Sequence, residues 1–148
     1  MDTNLTFEFG ISEIMDKIDG EISRHAAFLR FQDGGSAYDS IFVHTNEKPT
    51  IEGFVSDAFR SIVTRFEGES RYGTPDGNHK LSFYLPEFDE EISNVAKDEI
   101  RRYVVFSTTA SWLVYRSFAE YAKIVSVESE ASMTRLVALL RTRKFPIE

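Results

Sequence analysis

The chain contains no cysteine, which excludes a disulfide framework, a thiol nucleophile and any cysteine-ligated metal. That absence fits synthesis in a reducing cytoplasm. A long hydrophobic run is also missing. A membrane span needs about 20 apolar residues, and the most apolar stretch, Tyr103 to Tyr115, is shorter and interrupted by Ser107, Thr108, Thr109 and Ser111. No membrane partner is therefore expected. The opening MDTNLTFEFG has neither a basic n-region nor an apolar core, so no secretory signal is expected. Positive charge is scarce as well: 17 Lys and Arg stand against 24 Asp and Glu, a net charge of −7. A general nucleic-acid binder needs a dominant basic face instead. There is no internal repeat, low-complexity tract or linker, so residues 1–148 read as a single helical domain.

Signatures of chemistry are absent too. His25, His44 and His79 lie far apart, without the close His/Glu spacing of a helical metal site. The turn around Asp76-Gly77-Asn78 lacks the repeated acids and terminal Glu of a calcium loop. Asp33-Gly34-Gly35-Ser36 is not followed by the Lys-Ser/Thr pair of a phosphate-cradling loop, and no G-x-S-x-G elbow occurs. Glu87, Asp89, Glu90 and Glu91 contain enough carboxylates for acid–base work, but a helix start explains them: Asp89 as N-cap, the glutamates where the helix dipole favours anions. The expectation is no catalytic residue, no metal ligand, no cofactor and no enzymatic activity.

What the chain does have is aromatic and periodic. Thirteen Phe, six Tyr and one Trp, with 42% hydrophobic and 28% charged residues overall, supply ample area for a core or an interface. Thr6 to Gly10 alternates like a short strand and ends in a breaker. Ile11, Ile14, Ile18, Ile22, Ala26 and Leu29 then follow one helical face. A turn-rich loop, Phe31 to Pro49, has room for a strand at Ile41 to His44. Pro49-Thr50 opens a second helix, with Thr50 as cap, whose apolar rhythm runs to Phe66 and stops at Gly68. Thr74-Pro75-Asp76-Gly77 reads as a tight turn before an alternating strand, Leu81 to Leu85. From Asp89 the helical spacing carries to about Val125, roughly 54 Å at 1.5 Å per residue, with a kink expected near Ser107-Thr108-Thr109. A turn at Ser126 to Ser132, with Ser129 as cap, precedes a last helix and the basic ending RTRKFPIE. The expected fold is mainly α: about four helices around a long central helix, with short strands or a hairpin in the connections. The competing reading is a mixed α+β fold in which Leu81–Leu85 pairs with Thr6–Phe9 or Ile41–His44.

This order of elements, from TIEGFVSDAFRSIVTRFEG through EEISNVAKDEIRRYVVFSTTASWLVYRSFAEYA to SMTRLVALLRTRKFP, resembles the small helical head–tail connector (adaptor) proteins of tailed bacteriophages. The likeness covers about residues 50–146. It implies a non-enzymatic structural protein of the virion neck, made in the host cytoplasm. Identical subunits would form a ring against portal and tail proteins, with DNA only as passing cargo. The N-terminal part departs from the usual short form of that family.

The basic end and the acidic helix start suggest how such subunits meet. Arg141, Arg143 and Lys144 are expected to approach Glu87, Glu90 and Glu91 of a neighbouring or portal subunit, with Trp112 and Phe145 supplying apolar contact. Two other classes compete. One is a soluble helical interaction or regulatory module. The other is a small enzyme or ligand-binding domain with a pocket between Phe31–Pro49 and Gly68–Pro86.

Overall fold

Alternation of apolar and polar residues puts one face of three strands against a set of helices. The computed structural model describes residues 4–26 and 48–143, in the order β1 (Asn4–Phe9), α1 (Ile11–Ala26), α2 (Lys48–Arg65), β2 (Ser70–Gly73), β3 (His79–Tyr84), a 3₁₀ turn (Glu90–Ile92), α3 (Ser93–Tyr115) and α4 (Ala119–Leu140). The fold is mainly α, with four helices among the described residues and a small antiparallel sheet ordered β1-β3-β2. Register sets Phe7 opposite Leu81 and Phe9 opposite His79, so Phe7, Phe9, His79, Leu81 and Phe83 share the buried face. Lys80, Ser82 and Tyr84 alternate onto the other face. The pairing of β3 with β1 is thus real, as a minor layer on a helical protein. The alternative strand Ile41–His44 lies outside the described residues, as do Leu29 and the loop Phe31–Pro49 up to residue 47.

Helix α2 lies against the buried sheet face. Phe59 stacks on Tyr72 with ring centroids 4.8 Å apart and meets Phe9 at 5.7 Å, while Phe66 meets Phe83 edge-on at 5.3 Å. Helix α2 begins at Lys48, so Thr50 sits inside the first turn and not at the cap. After α2 the chain reverses through Gly68 at φ +83°, a conformation that glycine adopts without steric cost. The turn Thr74–Gly77 closes by a hydrogen bond from the Gly77 amide to the Thr74 carbonyl at 3.3 Å. Strand β2 was not expected. Ser70, Arg71 and Tyr72 form it as the edge partner of β3, and short polar edge strands carry little sequence signal.

The largest departure concerns the central helix. Asp89 caps the short 3₁₀ turn and not the long helix, accepting from the Glu91 amide at 3.1 Å, and α3 starts at Ser93 with no side-chain cap. Helix α3 then runs unbroken through Ser107–Thr109, where the kink was expected, and stops at Tyr115. The Ser117 amide donates to Val114 O at 3.0 Å, the Phe118 amide donates to Leu113 O at 2.8 Å, and Ser117 has φ +72°. These bonds define a Schellman cap, with Phe118 packing back toward Leu113. Serine stands where glycine usually marks such an end, which is why the periodicity reads straight through it.

Helix α4 folds back antiparallel on α3, and the expected turn at Ser126–Ser132 is the middle of that helix. Ser129 and Ser132 are buried, and their small side chains let the two helices approach. The apolar stretch in α3 is consequently covered by its own chain: Tyr103, Val104, Val105, Ala110, Trp112 and Leu113 are all buried. One small domain covers it because the expected 54 Å helix is broken in two and doubled over.

Candidate functional site

The charged ends expected to meet between subunits are neighbours within one chain. Leu85 ends the buried alternation of β3, and the Phe88 amide donates back to Leu85 O at 3.3 Å. Phe88 is buried, and its backbone forms an isolated antiparallel bridge with Arg143, just past the end of α4. Glu87 adopts φ +58° beside it and is exposed, as are Glu90 and Glu91. The result is one patch holding the acidic turn and Arg143.

The cations there are used differently. Arg141 donates to both carboxylate oxygens of Glu69, at 2.9 and 3.2 Å, and its guanidinium lies 4.7 Å from the Phe66 ring centroid. It therefore clamps the end of α4 to the α2–β2 turn. Arg143 donates to Leu140 O at 3.2 Å. Among the described residues, Glu87, Glu90 and Glu91 form no ion pair with either arginine. Lys144 and Phe145 lie outside the described residues. Trp112 cannot serve as an apolar contact, since it is 0% exposed and packed in the core. Val114 and Tyr115, the next residues on α3, are the exposed apolar groups near its end. Sequence reading missed them because an indole outranks a valine in expected interface area, while burial depends on which face the helix turns inward.

Three polar clusters lie elsewhere in the fold. His25 on α1 is held at both nitrogens, Nδ1 by Tyr121 Oη at 2.8 Å and Nε2 by Glu21 Oε1 at 2.9 Å. With both nitrogens bonded, the ring ties α1 to α4. His79 is 6% exposed and bonded to Tyr72 Oη through Nδ1 at 2.8 Å. Burial pushes its pKa below the usual histidine value, partly opposed by Glu52. Glu99 receives Arg135 at 2.6 Å and Ser132 Oγ at 2.7 Å, an interhelical tie between α3 and α4. No group of three or more His, Asp or Glu among the described residues is arranged to hold a metal ion.

A groove of about 400 Å³ between α2, α3 and α4 is lined by Ser61, Thr64, Tyr103 and Ser129, among others. Ser61, Thr64 and Ser129 each donate to a carbonyl of their own helix. Their hydroxyl protons are committed to the backbone and do not converge on a ligand. No helix among the described residues is long and apolar enough to cross a membrane. No protein-family model, curated protein or solved structure matches this chain.

Proposed function

We propose that this protein is a non-enzymatic structural component of a phage particle, a head–tail connector whose subunits form a ring between portal and tail. The observation that supports this reading best is the patch at the Phe88–Arg143 bridge. Among the described residues, it presents the carboxylates of Glu87, Glu90 and Glu91 without ion-pair partners, near Arg143. Charges of both signs on one small surface suit docking onto a complementary surface of another subunit. Exposed pairs contribute only about 0–1 kcal/mol each, so they set orientation and register.

The test must leave Arg141 alone, because its reversal would break the Glu69 clamp and confuse docking with folding. The appropriate variant is Arg143→Glu with Lys144→Glu, assayed by the copies retained per assembled particle. The expected result is a several-fold drop in incorporation with an unchanged circular dichroism spectrum. Full incorporation removes the docking role of the basic end. Metabolic genes in place of portal and terminase genes beside this one would remove the connector reading itself.

A further inference from the structure

Helix α4 buries one face against α3 and turns an unexpectedly apolar second face outward. Ala122, Val125, Ser129, Ser132, Met133, Leu136 and Leu140 are buried. On the opposite side, Ile124, Val127, Ala131, Thr134 and Ala138 recur at alternating steps of three and four residues, the spacing of a coiled-coil seam. Ile124 is 62% and Val127 65% exposed. Glu120 and Arg141 continue the same spacing at either end, so charge confines the apolar seam to Ile124–Ala138.

The charges that flank this seam identify its occupant. Lys123 and Glu130 lie along one edge, Glu128 and Arg135 along the other. In a parallel pair of such helices, Lys123 of one copy faces Glu128 of the second copy, and Glu130 faces Arg135. Both contacts join opposite charges, and two-fold symmetry repeats them. An antiparallel pair does worse. One register sets Glu128 against Glu128 and Glu130 against Glu130; the registers to either side gain a Glu128–Arg135 or a Lys123–Glu130 pair but put a charge into the seam, Arg141 against Ile124 or Glu120 against Ala131. Among the described residues, Lys123 pairs with Glu120 on its own helix at 3.2 Å, while Glu128 and Glu130 form no ion pair, Glu128 standing only in the longer-range field of Arg24. Arg135 binds Glu99 through Nε and is half exposed, so its outer nitrogens stay accessible.

We infer that the outer seam of α4 pairs with the same seam of a second copy, in parallel, to form a two-fold homodimer in solution. The contact spans two heptads and belongs with small, transient interfaces, so dissociation at about 10⁻⁵ M is expected. It does not rest on the connector reading, and its test uses no phage component.

Sedimentation equilibrium of the full chain should show a mass rising toward twice that of the monomer with concentration. Ile124→Glu with Val127→Glu should hold the mass at the monomer value while keeping the helical circular dichroism signal. Lys123→Glu should weaken the dimer about tenfold, and adding Glu128→Lys should restore it. The chain has no cysteine, so Val127→Cys gives a clean orientation test. Parallel pairing brings the two introduced thiols together, and mild oxidation should yield a disulfide-linked dimer. A monomer at every concentration overturns the inference. So does a dimer that survives Ile124→Glu with Val127→Glu, or one in which Val127→Cys fails to cross-link.

Discussion

His79 begins β3 opposite Phe9, and that position forces an imidazole into the apolar side of the sheet. The ring stacks on Phe59 at 4.9 Å and shares one hydrogen bond with Tyr72, so its neutral form is satisfied there. Desolvation penalises the charged form and lowers the folded-state pKa below the value of about 6.5 that the unfolded chain retains. At a pH between those two values the unfolded state binds more protons, so stability falls as pH drops below about 6.5 and levels off beneath the folded pKa. The expected outcome is a lower urea midpoint at pH 5.5 than at pH 7.5. In His79→Phe, which keeps the stack on Phe59, that difference should shrink. An equal pH response in both proteins would place the titration elsewhere. The buried position of His79 was hidden in the sequence, where the residue simply follows a turn. Only the register of β3, fixed by Leu81 and Phe83, turns it inward.

At the scale of elements, legibility followed the strength of the local signal. The isoleucine stripe of α1 and the aromatic rhythm of α2 were readable because an amphipathic face and its burial share one period, and Ile14, Ile18, Ile22, Ile51, Phe59 and Ile62 are all buried. The Thr74–Gly77 turn was readable because Pro and Gly occupy the positions its backbone angles demand. The α3–α4 break was not, since it contains neither Gly nor Pro and rests on Ser117 in a left-handed conformation. Ser126–Ser132 then misled in the opposite direction. Serines that suit a turn were placed there to let two helices close on each other, with Ser132 donating to Glu99. Of the candidate interface, the acidic turn and basic end were legible as charge, but their meeting in one chain depends on the antiparallel return of α4. The Ser117 cap carries its own test. A non-glycine residue at this φ costs about 1 kcal/mol, offset in part by the extra unfolded-state freedom of glycine. Ser117→Gly should therefore raise stability by about 0.5 kcal/mol, read as a higher urea midpoint at unchanged slope. A fall would show that the Ser117 side chain contributes more than its backbone strain costs.

For the whole molecule, the question is which surface receives the charged patch. The acidic turn and the basic end lie side by side at the Phe88–Arg143 bridge, so reversing both signs together keeps the patch dipolar while inverting its direction. Two kinds of recipient respond differently. If identical subunits dock head to tail, the acidic turn of one against the basic residues of the next, a chain carrying Glu87→Lys, Glu90→Lys and Glu91→Lys with Arg143→Glu and Lys144→Glu still complements itself. It should assemble with its own kind and be rejected from mixtures with the unaltered protein. If the recipient is a portal subunit of fixed charge, the same chain meets like charge wherever the native one met opposite charge. It should then be lost from particles even when it is the only version present. Exposed pairs are worth about 0–1 kcal/mol each and are screened within about 10 Å at 0.1 M salt. The discrimination should therefore be several-fold at low ionic strength and fade as salt rises. Glu69 and Arg141 are left untouched, so the clamp between α4 and the α2–β2 turn persists. An unchanged thermal midpoint would confirm that the effect is on docking alone. Equal incorporation alone and in mixtures, at low salt, would show that this patch takes no part in assembly.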